Sequence, residues 1–120
     1  MSIAKADFKN KYDEEKAEAV QNFLFYATDQ KHKEGIYLSV DVFGECSSEY
    51  VTAYGQYWPA ISNIVDAISS MPYTDHFGRS VDTWTNAYQT VNNWAKGASA
   101  RQKEIPTPAV ARTWITAYDT

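Results

Sequence analysis

The pattern of apolar and polar side chains marks four periodic segments, of which 4–31, 48–70 and 79–96 have helical spacing and 36–43 fits either period, followed by one last short helix. In the first, about residues 4–31, Ala17, Val20, Leu24 and Ala27 share one face, which Phe8 and Tyr12 extend backwards. Asp13 suits the N-cap and Glu14 and Glu15 the first turn, where carboxylates meet the positive end of the helix dipole. Lys31, His32 and Lys33 close the segment with favourable positive charge, and Gly35 is a stop signal. Another segment, residues 48–70, carries Val51, Tyr54, Trp58, Ile61, Val65 and Ile68 as one continuous stripe. Pro59 falls in its middle, so a kink or break is expected there. Residues 79–96 follow, with Ser80 as cap, the stripe Val81, Trp84, Tyr88, Val91 and Ala95, and Gly97 as terminator. A last short helix is predicted from Thr107 and Pro108, with Val110, Trp114, Ile115 and Tyr118 on its apolar side.

Residues 36–43 are ambiguous. Leu38, Val40 and Val42 alternate with Ser39 and Asp41, which is a strand signature, yet Ile36, Val40 and Phe43 also fit helical spacing. No second segment alternates as clearly, and a lone strand leaves its hydrogen-bonding groups unpaired. The segment is therefore read as extended or irregular, with pairing between chains left open. Amphipathic helices must bury their stripes on one another. The expected fold is all-α: a compact single-domain bundle of four to five helices over residues 1–120. The four tryptophans fall on helix faces, and Trp58 and Trp84 are expected core anchors.

Composition agrees with a globular domain: 120 residues, 44% hydrophobic and 22% charged. No apolar run is long enough for a membrane span. The first residues turn charged at once, so no leader is expected. The lone Cys46 excludes an internal disulfide and a cysteine-based zinc cluster, which suits a cytoplasmic setting. The net charge of −4 argues against a general nucleic-acid binder. That charge is unevenly placed. Residues 35–78 hold no Lys or Arg but do hold Asp41, Glu45, Glu49, Asp66 and Asp75. The one basic stretch, Lys96, Arg101, Lys103 and Arg112, is scattered over a loop and the last helix, unlike a recognition helix.

Catalytic constellations are hard to find. His32 sits among Lys31, Lys33 and Glu34 as a solvated helix end, and His76 lies in a loop beside Asp75 with no nucleophile placed near it. Cys46 has acidic neighbours, which disfavour a reactive thiolate. No paired histidines, calcium loop or phosphate-binding glycine loop occurs. The chain is thus expected to be no enzyme, with no catalytic residues, no cofactor and no metal. Its nine tyrosines are a different matter, because tyrosine is favoured at interfaces. Tyr37, Asp41, Glu45, Glu49, Tyr50, Tyr57, Asp66, Tyr73 and Asp75 are expected to form an acidic, tyrosine-rich face for a partner protein with a basic surface. The corresponding function is a non-catalytic binding module, such as a phage-type inhibitor of a host defence complex. The alternative is a self-assembling virion or head–tail connector-like subunit.

Overall fold

The computed structural model describes residues 11–49, 51–73 and 87–115. Helix α1, Lys11–Lys33, turns Ala17, Gln21, Leu24 and Thr28 inward, at the spacings of three and four that define one helix face. It ends as its sequence directs. The amide of Gly35 donates to the His32 carbonyl (3.0 Å) and that of Ile36 to the Lys31 carbonyl (2.9 Å). Together these form a Schellman closure, which requires the left-handed φ of 76° that Gly35 adopts.

Three strands follow: β1 (Ser39–Phe43), β2 (Ala67–Met71) and β3 (Val110–Thr113). They form one sheet in the order β1-β2-β3, and both pairings are parallel. The all-α bundle is therefore overturned: the described residues hold three helices and a parallel sheet. The ambiguous segment 36–43 does contain a strand, and its partner is residues 67–71, with Val40 opposite Ile68 and Asp41 opposite Ser69. Parallel partners must be joined by long crossovers, so no hairpin signal announces them. The central strand, Ala-Ile-Ser-Ser-Met, has Ile68, Ser69 and Ser70 all buried, so it shows no alternation to read.

Pro59 does not kink a long helix; it helps to start a short one. Tyr57 is extended at φ −132°, and helix α2 spans only Trp58–Ser62, with the proline in its first turn. Residues 63–66 then turn the chain into β2. The helix predicted to stop at Gly97 continues: α3 spans Ala87–Gln102. Glycine costs a helix interior about 1 kcal/mol, but here it admits a neighbour. A Cβ on Gly97 would lie 3.2 Å from the Ser47 carbonyl oxygen, in the 3₁₀ turn Gly44–Ser47 that follows β1. The last predicted helix is overturned too, since Val110–Thr113 is β3. Trp84 and Tyr118 lie outside the described residues.

All three helices and the 3₁₀ turn bury their apolar sides against one face of the sheet. Leu24, Val42, Cys46, Trp58, Ile61, Val65, Ile68 and Ala98 make the main cluster, with Trp58 fully buried. Trp94 meets it edge-on, ring centres 6.3 Å apart. A polar knot joins α2, α3 and the approach to β3. Trp58 Nε1 donates to Gln102 Oε1 (3.0 Å), the Ser62 hydroxyl to the same oxygen (2.6 Å), and Gln102 Nε2 to the Ala109 carbonyl (2.8 Å). The Ala109 amide returns a bond to Ser62 Oγ (3.0 Å). No helix among the described residues is long and apolar enough to cross a membrane.

Candidate active site

Strand side chains alternate between faces. Val40, Val42 and Ile68 point to the helices, so Ser39, Asp41 and Phe43 of β1 and Ala67, Ser69 and Met71 of β2 belong to the other face. Two long side chains from the β3 segment lie across that face. Arg112 Nη2 donates to the Ser39 hydroxyl (2.8 Å), and Trp114 Nε1 donates to Asp41 Oδ1 (3.2 Å). Both must span β2 to reach β1, roughly two strand spacings or about 9–10 Å. Small residues Ala67 and Ser69 form the floor they cross. No helix among the described residues covers this face, and Trp114 remains 52% exposed. In parallel α/β sheets, ligands bind beyond the carboxyl ends of the strands.

At the carboxyl end of β1 stands a second carboxylate. Glu45 belongs to the 3₁₀ turn, and the Tyr54 hydroxyl donates to its Oε2 at 2.9 Å. The Tyr54 ring meets Phe43 edge-on at 5.3 Å, while Gln56 Oε1 accepts the Phe43 amide (2.9 Å). Burial, the hydrogen bond to Glu45 and that residue's charge push the Tyr54 phenol well up, so it stays a neutral donor. The adjoining Cys46 is fully buried, and burial with the Glu45 charge pushes its thiol up as well. A buried, protonated thiol is a poor nucleophile.

Of the nine residues expected to share one acidic face, the seven that are described lie at several separate places. Asp41 and Glu45 come to the open face and its carboxyl edge. Tyr37 and Asp66 lie together at the amino edge, lining a pocket of about 320 Å³ with Leu38, Ser39, Ala67 and Arg112. Tyr57 is buried at the start of α2; burial and the Glu104 charge raise its phenol, against the Arg101 guanidinium. Exposed Glu49 lies 3.9 Å from Arg101. Tyr73 follows β2, its amide bonded to the Met71 carbonyl (2.8 Å). Tyr50 and Asp75 are outside the described residues, as is His76. Sequence reasoning missed Trp114 and Arg112 as site residues. It assigned Trp114 to a helical core stripe and Arg112 to a diffuse basic stretch. A usable signal was present: a short run, Val-Ala-Arg-Thr, following the turn-forming Pro106-Thr107-Pro108.

Asp66 has a structural task. Its Oδ2 accepts the Leu38 amide (2.8 Å) and faces His32 Nε2 (2.7 Å), tying the end of α1 to the starts of β1 and β2. Burial alone would raise its pKa, but the Leu38 amide and the His32 ring outweigh that and hold it below the ordinary value of 3.8. A carboxylate depressed in the folded state contributes stability above its unfolded pKa and loses it as pH falls through the folded one. The denaturant midpoint of the wild type is therefore expected to exceed that of Asp66→Asn at pH 6. The gap should begin to narrow below about pH 4, where the unfolded carboxyl protonates, and close as pH falls through the lower folded value; a gap unchanged between pH 6 and pH 3 would refute this role.

The frame is thus a consecutive parallel α/β sheet with helices on one face. Across its other face lie a carboxylate, an indole and a guanidinium, with a second carboxylate at the strand's end. A family model described as "Putative glycosyl hydrolase domain" matches residues 2–120, and the chain belongs to that family. No curated protein and no solved structure matches it. Membership points to an enzyme and corrects the reading of a non-catalytic, phage-type anti-defence inhibitor, together with its virion-subunit alternative. The reason lies in pairing. Acidic and aromatic residues that looked like a docking surface are also the residue types of a glycosidase, and only their placement separates the two.

Proposed function

We propose that the chain supplies a glycoside-hydrolysing site, with Asp41 and Glu45 as its carboxylate pair. The observation that carries this reading is the Asp41–Trp114 contact. It fixes an acidic oxygen beside a half-exposed indole on the face that no helix covers. A pyranose ring presents an apolar C–H side that packs on an aromatic face, and seated on Trp114 it brings its glycosidic bond to the carboxylates. Hydrolysis then follows the chemistry two carboxyl groups permit. One gives its proton to the leaving glycosidic oxygen as the bond to the anomeric carbon breaks. In the direct route water adds its oxygen to that carbon and yields a proton to the other carboxylate; in the two-step route the other carboxylate first forms a glycosyl ester, and water then displaces it while yielding its proton to the first residue, now a base. Tyr54, held neutral, orients Glu45 by donation.

Turnover of glycosides by the folded protein tests the proposal. Asp41→Asn and Glu45→Gln are each expected to lower kcat about 10²–10⁴-fold, with circular dichroism unchanged. Azide, a small nucleophile, should restore turnover in whichever variant lost the base or nucleophile. If both variants cleave at the wild-type rate, this pair is not the catalytic one.

A further inference from the structure

We infer that the glycan carries carboxylate groups, and that Arg112 is the residue that selects them. This deepens the hydrolase reading and rests on it. The other arginine among the described residues is compensated by acid: Arg101 bonds Glu104 at 2.7 Å and lies near Glu49. Among the described residues, no carboxylate lies within ion-pair distance of Arg112. The Ser39 hydroxyl engages one Nη and leaves most of the fork for a ligand. A guanidinium presents paired donors in a plane that match the two oxygens of a carboxylate.

The surroundings fit a sugar acid. Arg112 lines the pocket of about 320 Å³ at the amino edge of the open face, a volume at the lower end of ligand sites. The acidic group in the same pocket, Asp66, already has its Oδ2 engaged by the Leu38 amide and the His32 ring. Tyr37, 85% exposed at the rim, offers an aromatic face against which a second ring can lie. Arg112 stands two residues before Trp114, which directly follows β3 and lies on the same side of the sheet, roughly 7 Å along an extended chain. A sugar on Trp114 therefore places its neighbour over Arg112 and the pocket. In this arrangement Trp114 and Asp41 hold the ring at the bond to be cleaved, and Arg112 reads the charge on the adjoining unit.

Paired probes that differ only in that charge test the assignment. Oligogalacturonate, oligomannuronate and oligoglucuronate are each compared with their methyl esters, by calorimetric binding and by cleavage. The wild type is expected to bind at least one acid form about tenfold or more tightly than its ester, the gain of a charge-assisted bond over a neutral one. Arg112→Gln should bring the two forms within about twofold. Arg112→Lys, which keeps the charge and loses the fork, should fall between, and Ser39→Ala should weaken the preference by releasing the guanidinium. An unchanged melting temperature in each variant shows that the fold persists. Neutral glycans bound or cleaved with no acid preference, or a preference that survives Arg112→Gln, would overturn the role of Arg112 and leave the hydrolase reading standing. Failure of every acidic and neutral probe would overturn both.

Discussion

Trp58→Ala is expected to destabilise the protein by about 4 kcal/mol, which lowers its melting temperature by roughly 15 °C in a domain of this length. The indole is fully buried at the junction of α2, α3 and the sheet, so its removal leaves a cavity that the surrounding backbone can only partly close. Two further losses add to that. The Trp94 ring loses its edge contact, and Gln102 loses the indole donor that helps fix its amide between α2 and Ala109. Trp58→Phe separates these effects. It retains most of the apolar volume and removes the donor, while the Ser62 hydroxyl still bonds Gln102 Oε1, so it should cost only about 1–2 kcal/mol. Calorimetric melting of the three proteins checks the ranking. Equal melting temperatures for wild type and Trp58→Ala would refute the anchor role.

Gly55→Ala is the second large effect, on the order of 3–4 kcal/mol. Gly55 closes the turn 52–56, where its amide bonds the Thr52 carbonyl at 3.0 Å and its φ is +86°. A left-handed conformation costs an ordinary residue about 1–2 kcal/mol. The larger share is steric: an added Cβ would sit 2.7 Å from the carbonyl carbon and oxygen of Lys16 in α1, backbone atoms that cannot swing away. Overpacking of this kind typically costs about 1–3 kcal/mol. Gly35→Ala is the internal control, because Gly35 also has positive φ but meets nothing within 4 Å. It should lose only the conformational part. The same clash should reach the site. The turn carries Tyr54, which holds Glu45, and Gln56, which holds the Phe43 amide. Gly55→Ala is thus expected to impair turnover as well as stability, whereas Gly35→Ala should impair stability alone. Equal stability losses in the two variants would refute the contact.

Local signals were legible wherever a residue's own chemistry settles the outcome. Gly35 ends α1, the Ala17–Leu24 stripe is its buried side, Pro59 prevents a long helix, and Trp58 is core. The stripe from Val51 to Ile68 misled because its period was real and its interpretation was not. Val51, Trp58, Ile61, Val65 and Ile68 are all buried, but they come from a turn, a short helix and a strand that converge on one core. Likewise Gly97 signals a helix end in isolation, and becomes a place of close approach once the 3₁₀ turn lies beside it. Of the site, Asp41 and Glu45 were visible as acids in a stretch without cations. Trp114 and Arg112 were not, because each reaches a partner 73 residues away.

What the sequence determined by itself is therefore the set of short-range events: where α1 stops, where proline forbids helix, which side chains must leave water, and where cationic charge is missing. Tertiary structure decided the rest. Residues 39–43, 67–71 and 110–113 become strands because each finds a parallel partner for its amides and carbonyls. The gain from that pairing appears only after long crossovers have closed, so no local period can encode it. The same closure lays Arg112 and Trp114 over Ser39 and Asp41, turning scattered acidic, basic and aromatic residues into one face with the chemistry of a site.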